Sequence, residues 1–322
     1  MIKLGIVGYG NLGRGVERAI AQNPDMQLQA IFTRRVPADA GSSPLIRPID
    51  QIDSHQNQID VLLLCGGSAT DLPEQSPALA QRFNIVDSFD THANIPQHFE
   101  HVDAAARQHG HLALISAGWD PGLFSMMRLL GQCILPHGAD YTFWGRGVSQ
   151  GHSDAIRRIE GVADAKQYTI PVADALEQVR SGAQPTLTTA QKHTRECFVV
   201  AKPGANTKRI EQEIKQMPNY FADYHTTVHF VSADELRQNH SGMPHGGMVL
   251  RTGITSADTK QRMEFGLTLD SNPEFTASVL VAYARAIVRM ARNGQTGART
   301  VFDIPLGLLS PLTPEQLRRE LL

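Results

Sequence analysis

Ile2-Lys3-Leu4-Gly5-Ile6-Val7-Gly8-Tyr9-Gly10-Asn11-Leu12-Gly13 is the stretch that decides the fold. A short apolar run ends in GxGxxG, and a helical pattern follows at once, with Leu12, Val16 and Ile20 on one face of the segment from Asn11 to Ala21. In such a strand–turn–helix the first glycine permits the tight turn. The second lets the backbone approach a pyrophosphate, and the third lets helix and strand pack closely. The helix N-terminus offers its free N–H groups and partial positive charge to phosphate. Gly8, Gly10, Asn11, Leu12 and Gly13 are therefore candidate cofactor-binding residues. GxGxxG by itself is a weak signal, and its position at the start of a βαβ pattern gives it weight.

Working outward, Met26 to Phe32 reads as a second strand, and Asp60 to Cys65 as a near-continuous apolar strand covered on both faces. Asn84–Val86 and His111–Ile115 are further strands, with helical patterns at Pro77–Phe83 and Phe99–Gln108. Strand and helix in alternation predict an α/β fold with a doubly wound, parallel, Rossmann-type sheet. Past Gly122 longer strand-like runs take over, at Tyr141–Trp144, Cys197–Ala201, Thr226–Val231, Met248–Gly253 and Met263–Leu269. Helical patterns at Val172–Arg180 and Thr207–Gln216 lie among them, predicting a second, α+β domain built on a mixed sheet. Phe275 to Arg292 reads as a long amphipathic helix. The expected division is a dinucleotide domain over 1–118 and a substrate and dimerisation domain over 119–271, with 272–322 returning to the first domain.

The length of 322 residues suits two domains. A net charge of -2 gives no reason to expect a polyanionic partner, so nucleic acid and acidic membrane surfaces are not expected. Cys65, Cys133 and Cys197 are far apart and form no CxxC pair, which argues against a zinc ribbon or a disulfide framework. Apolar runs are broken well before membrane-spanning length and no signal-peptide layout opens the chain, so a cytoplasmic protein is expected.

The end of the second strand bears on the cofactor. A site for NAD places a carboxylate there for the ribose 2′-hydroxyl; this chain has Thr33-Arg34-Arg35, and the next carboxylate is Asp39. A hydroxyl and two guanidiniums suit a 2′-phosphate, which predicts NADP, although two arginines can also be solvated loop charges. Cys65-Gly66-Gly67-Ser68-Ala69-Thr70 follows the next apolar strand, where small residues let the backbone approach the nicotinamide ribose.

Two aspartates stand at strand ends: Asp90 after Ile85-Val86-Asp87-Ser88-Phe89, and Asp120 in Ser116-Ala117-Gly118-Trp119-Asp120-Pro121-Gly122. Carboxylates there could hold an ammonium and take its proton, which oxidation of an amine requires, because the nitrogen lone pair stabilises the developing iminium. Each could equally be a helix cap or turn residue. Arg195 leads into a strand, where it could clamp a carboxylate or form a surface ion pair. His245 sits in Gly242-Met243-Pro244-His245-Gly246-Gly247, a constrained loop with no zinc-motif spacing, and no metal is expected. Phe143 and Trp144 could wall a pocket or pack a core.

Several segments together resemble the meso-diaminopimelate dehydrogenase family. They are Val7–Arg14, Gly67–Asp71, Gly118–Gly122, Phe143–Gly145, Ser149–Asp154, Cys197–Val200, Gly242–Gly247 and Asp270–Ser278, spread over nearly the whole chain. The resemblance implies a homodimer that uses NADP to convert meso-2,6-diaminopimelate at its D-centre to L-2-amino-6-oxopimelate, ammonia and NADPH. It also implies roles. Asp90 and Asp120 would meet the D-centre amine, and Trp119 and Phe143 would shape that end. Gln150 and Gly151 would bind the adjacent carboxylate, with Asp154 nearby. Thr169, Arg195, His245 and Asn272 would hold the distal L-centre. Phe89 and Thr91 depart from the family's more usual Tyr and Asn on either side of Asp90. Two other readings stand beside this one: an NADP-dependent imine or semialdehyde reductase, and a non-catalytic NADPH sensor.

Overall fold

A computed structural model of the chain describes residues 1–34 and 45–322. Two compact units emerge: Met1–Met126 with Pro273–Leu322, and Met127–Asn272. The first is unit 1 and the second unit 2 below.

Unit 1 opens with β1 (Ile2–Val7), α1 (Asn11–Ala21), β2 (Met26–Thr33), β3 (Ile46–Pro48) and β4 (Val61–Leu64). It continues through α2 (Leu72–Ala80), β5 (Ile85–Asp87), α3 (Ile95–His109) and β6 (Leu112–Leu114). β4 is Val-Leu-Leu-Leu with every residue buried, because helices cover both faces of a parallel sheet. Each fully buried leucine there contributes about 2 kcal/mol of apolar burial. α2 begins at Leu72, five residues ahead of the apolar pattern that signalled it. Pro73 fits the unbonded first turn, and Pro77 lies inside the helix. α3 ends at Gly110, whose left-handed φ of 75° closes the helix.

α4 (Leu123–Ile134) begins in unit 1 and runs into unit 2. Unit 2 then holds β7 (Gly138–Trp144), β8 (Gly147–Val148), α5 (Gln150–Arg157), β9 (Val162–Pro171), α6 (Ala173–Arg180), α7 (Thr189–Lys192) and β10 (His193–Ala201). It ends with α8 (Thr207–Gln216), β11 (His225–Phe230), α9 (Ala233–Asn239), β12 (His245–Ser256) and β13 (Thr259–Leu269). The one mixed sheet anticipated from sequence is two separate sheets. One has the order β11-β10-β9-β8, the other β13-β12-β7. Only β10–β11 pair in parallel; the other pairs are antiparallel. Strand periodicity cannot distinguish one sheet from two, because it specifies a face and not a partner.

The C-terminal segment supplies α10 (Asn272–Arg292), β14 (Gly297–Arg299) and α11 (Pro314–Leu321). β14 joins β6 in parallel and completes a seven-stranded sheet of order β14-β6-β5-β4-β1-β2-β3. α10 is buried on nearly every side, not on one stripe. Its Arg285 is 2% exposed and bonds the Asp25 carboxylate at 2.7 and 2.8 Å, Asn23 at 2.7 Å and the Leu309 carbonyl at 2.6 Å. That guanidinium holds the Asp25 carboxyl below its ordinary pKa. No helix among the described residues is long and apolar enough to cross a membrane.

Candidate active site

In unit 1 the chain leaves β1 toward β2 on one side, while β4 lies on the other. Loops at such a switch point diverge and open a crevice at the carboxyl ends of the strands. A cavity of about 650 Å³ lies there, lined by Gly8, Gly10, Thr33, Arg34, Cys65, Gly66 and Gly67 among others. Gly8 has a φ of 92°, which a side chain resists. A Cβ on Gly13 would stand 2.1 Å from the Gly8 carbonyl oxygen, so the third glycine is needed for helix–turn contact. A Cβ on Gly10 would meet nothing within 4 Å, so the backbone there faces open space. Gly10 caps α1 without a side-chain bond, and the first turn carries no acidic residue. A helix N-terminus without a side-chain cap or an acidic first turn, facing open space, fits a pyrophosphate. Gln75 adds a buried carbonyl oxygen without a protein partner at the same cavity, suited to a hydroxyl or amino donor.

Not every anticipated cofactor residue lines this cavity. Leu12 is half-buried against the core, and Asn11, Gly13, Ser68, Ala69 and Thr70 lie off the lining. Ser68 instead serves the loop after β5, where its hydroxyl accepts the Asp90 N–H at 2.8 Å and the Thr91 N–H at 3.2 Å. Arg35 lies outside the described residues. Arg34 reaches Asp71, with Nη2 2.7 Å from Oδ1, while Asp71 Oδ2 accepts the Gly67 N–H at 2.8 Å. Asp71 is thus a carboxylate at the cofactor cavity that a search confined to the end of β2 misses. Burial pushes the Cys65 thiol up to about 12, so it is no nucleophile at neutral pH.

Asp90 and Asp120 both belong to unit 1. Asp90 is exposed and Asp120 half-buried, after β5 and β6 respectively. Trp119 is buried edge-on against Phe124, ring centroids 5.2 Å apart. Its loop is tight: a Cβ on Gly122 would lie 1.8 Å from the Gly118 carbonyl oxygen.

The remaining candidates belong to unit 2, and register brings two of them, Arg195 and Thr169, together. Arg195 of β10 pairs with Thr169 of β9, which pairs with Gly147 of β8. The Arg195 guanidinium donates to the Thr169 hydroxyl and lies over the Tyr224 ring, 3.9 Å from its centroid. A Cβ on Gly147 would fall 2.5 Å from the His245 ring, so this glycine makes room for the imidazole. Arg195 is 6% exposed and its Nε has no protein partner. Burial lowers its pKa from the ordinary arginine value, and Tyr224 opposes that. Two histidines flank it. Burial and then the Arg195 charge push His152 down to about 4 and His193 to about 3. His193 Nε2 accepts the Trp144 N–H at 2.8 Å, as a neutral ring does. Arg195 is therefore the cation at the centre of this cluster.

Gln150 opens α5 and donates from Nε2 to the Met243 sulfur at 2.9 Å; the Asn272 N–H bonds the Met243 carbonyl at 3.0 Å. Met243 thus joins Gln150 to Asn272. Gly151 faces open space. Asp154 turns to Arg157 in a partly exposed ion pair. Phe143 is 1% exposed and packs in the apolar cluster with Leu176, Val179 and Leu250. Sequence reasoning missed Gly147, His193 and Tyr224, none of which carries a motif signal of its own, and passed over Met243 within the quoted Gly242–Gly247 loop. Among the described residues no group of three or more His, Cys, Asp or Glu is placed to hold a metal ion.

Residues 118–271 match the diaminopimelic acid dehydrogenase C-terminal domain. The meso-diaminopimelate D-dehydrogenase of Ureibacillus thermosphaericus is 62% identical, over 100% of this chain and 99% of that one. A six-substitution form of the Clostridium tetani E88 meso-diaminopimelate dehydrogenase, solved with diaminopimelate, is 56% identical. The match covers 100% of both chains with a TM-score of 0.96. An engineered D-amino acid dehydrogenase bound to NADP+ is 45% identical over 100% of this chain and 99% of that one, TM-score 0.89.

Proposed function

The chain belongs to the diaminopimelate dehydrogenase family, and we propose that it oxidises meso-2,6-diaminopimelate at its D-centre with NADP. The products are L-2-amino-6-oxopimelate, ammonia and NADPH. The observation that carries the reading is the buried Arg195 bonded to the buried Thr169, with the half-buried His245 seated against Gly147 on the next strand, a cationic clamp for a carboxylate remote from the reacting carbon. The substituted residues of the Clostridium tetani enzyme support it. They are a Gln, Thr, Arg, Pro, His and Asn whose types, order and intervals coincide with Gln150, Thr169, Arg195, Pro244, His245 and Asn272 here.

Unit 1 handles the reacting end. Asp90 or Asp120 takes a proton from the substrate ammonium, freeing the lone pair that drives loss of the α-hydrogen. NADP, when bound, supplies the acceptor for that hydrogen. Water then replaces the imine nitrogen and ammonia leaves. Trp119 limits the space beside this centre. Unit 2 handles identity. Gln150 and Gly151 receive the adjacent carboxylate, and Thr169, Arg195, His245 and Asn272 hold the far end. The substrate has two chemically identical ends of opposite hand, so binding energy far from the chemistry selects which end reacts. A smaller imine substrate needs no such clamp, and a sensor needs no paired aspartates.

The protein works as a cytoplasmic homodimer in this reading. Three free cysteines suit a reducing compartment. Leu129, Leu130 and Ile134, 42%, 45% and 55% exposed on α4, suit contact with a second copy. Light scattering on the purified protein tests the dimer.

The deciding assay follows the reduced-nicotinamide absorbance with NADP and meso-diaminopimelate, beside L,L-diaminopimelate, D-alanine and NAD. A signal with NADP and the meso isomer alone is expected. Equal rates with the L,L isomer would overturn the remote-clamp reading.

A further inference from the structure

Beneath the two aspartates of unit 1 lies a third carboxylate that touches neither cofactor cavity nor solvent. Asp87, the last residue of β5, is 0% exposed. Its Oδ2 accepts the Ser76 hydroxyl of α2 at 2.6 Å and lies 2.8 Å from His98 Nε2 of α3. Its Oδ1 accepts two backbone N–H groups, Phe89 at 3.0 Å and Ser116 at 2.8 Å. Its main-chain carbonyl takes a third, from Ala117 at 2.9 Å. Ser76 and His98 are themselves buried, and the His98 ring stacks on Phe89 with centroids 4.0 Å apart.

The two N–H groups on Oδ1 belong to the loops that carry the reacting-end aspartates. Phe89 precedes Asp90, and Ser116 opens the segment that runs to Trp119 and Asp120. Ser116 has a φ of 57°, left-handed backbone that a serine adopts at a cost. Such a conformation persists only where the surroundings over-determine it, and the Asp87 carboxylate supplies that hold.

We infer that Asp87 is the positioning residue of the reaction, one buried carboxylate that sets the places of Asp90 and Asp120 together by fastening both loops. This rests on the reading that Asp90 and Asp120 meet the substrate amine. Asp87 itself exchanges no proton with substrate. Ser76 and His98 fix its rotamer, so that Oδ1 is presented to both loops at once. An amide keeps one acceptor for the two backbone N–H groups but puts N–H hydrogens where Oδ2 accepts the Ser76 hydroxyl and faces His98, so the rotamer that presents Oδ1 to both loops is released.

The test compares Asp87→Asn, Ser76→Ala, Asp120→Asn and the Asp87→Asn/Asp120→Asn pair in the full-length enzyme. Readouts are kcat and KM for meso-diaminopimelate, NADP affinity, and the isotope effect with substrate deuterated at the D-centre. Asp87→Asn is expected to lower kcat about 100-fold, as a small misplacement of catalytic groups does, with NADP affinity held within about twofold. The isotope effect rises, because hydrogen transfer becomes rate-limiting. In the pair, the second substitution costs less than it does alone, because part of the Asp87 effect already runs through Asp120. Ser76→Ala leaves Asp87 in place with a looser rotamer, and lowers kcat about tenfold with the same isotope signature.

A lower melting temperature with unchanged kcat and isotope effect per folded enzyme would make Asp87 a structural group and overturn the inference. Full additivity in the pair would do the same. If Asp87→Asn does not fold, Ser76→Ala decides alone, and unchanged kcat there overturns the inference. If Asp90→Asn and Asp120→Asn each keep full turnover, the reading of the two aspartates fails, whatever Asp87 does.

Discussion

At the end of β1 the cavity is edged with almost no side chain: Gly8, Gly10 and Gly13 leave backbone, space and a helix end without a side-chain cap. On β9 and β10 of unit 2 it does the opposite, burying an arginine at 6% exposure beside a threonine, an aromatic ring and two neutral histidines. The first device suits a ligand common to many enzymes, since backbone N–H groups recognise phosphate whatever is attached to it. The second suits a single ligand, since a buried cation is tolerable only when a matching anion completes it. In the proposed reading, generality sits in the backbone of one unit and specificity in the side chains of the other.

Arg195→Met strikes that contrast hardest. It should raise KM for meso-diaminopimelate by about 100- to 1000-fold, the cost of truncating one partner of a buried charge pair. NADP affinity should stay within about twofold by fluorescence titration. Equal loss of both would make Arg195 structural. Gly13→Ala is the mirror image. Its Cβ, 2.1 Å from the Gly8 carbonyl oxygen, forces the turn open and should weaken NADP about 30-fold, with overpacking of about 2 kcal/mol. An unchanged NADP affinity would refute the account of the turn.

Acid should find the second region first. His193 is held neutral down to about 3, whereas an unfolded histidine takes up a proton near 6.5. The unfolded state therefore binds more protons in that window, and stability falls as pH drops from about 6.5 toward 3. By about pH 5 the loss from His193 alone is about 2 kcal/mol. Melting curves of His193→Gln should be flatter over the same window, and a parallel fall in both proteins would clear His193 of the effect.

Gly147→Ala sharpens the comparison, because here a glycine serves side-chain recognition. A methyl 2.5 Å from the His245 ring should displace it and raise KM about tenfold with kcat nearly kept. A normal KM would remove His245 from the clamp. Smallest is Arg34→Ala, which should reduce the preference for NADP over NAD by a factor of about five. Arg34 is exposed and already shares its charge with Asp71. No change in preference would leave that discrimination to residues other than Arg34.

The departures of structure from sequence reading have physical causes. Asp71 was invisible as a cofactor-site carboxylate because it stands 37 positions from Arg34, and only the parallel placement of β1, β2 and β4 joins their following loops. Gly147 and Tyr224 carry no motif, and their value comes from what register and packing put beside them. Phe143 reads as well for a pocket wall as for a core, and its burial among Leu176, Val179 and Leu250 is a fact of packing.

The sequence by itself determined the parallel sheet and the glycine turn, because strand period, helix period and the absence of a Cβ are local properties written in consecutive residues. It also offered Asp90, Asp120, Arg195 and His245 as candidates for chemistry, since residue type and loop context are local too. Only the tertiary structure decided that one buried aspartate bonds the loops after both β5 and β6, that a glycine on β8 seats an imidazole from β12, and that the unit 2 strands form two sheets. Those are relations between distant segments, and they are set by which surfaces exclude water together.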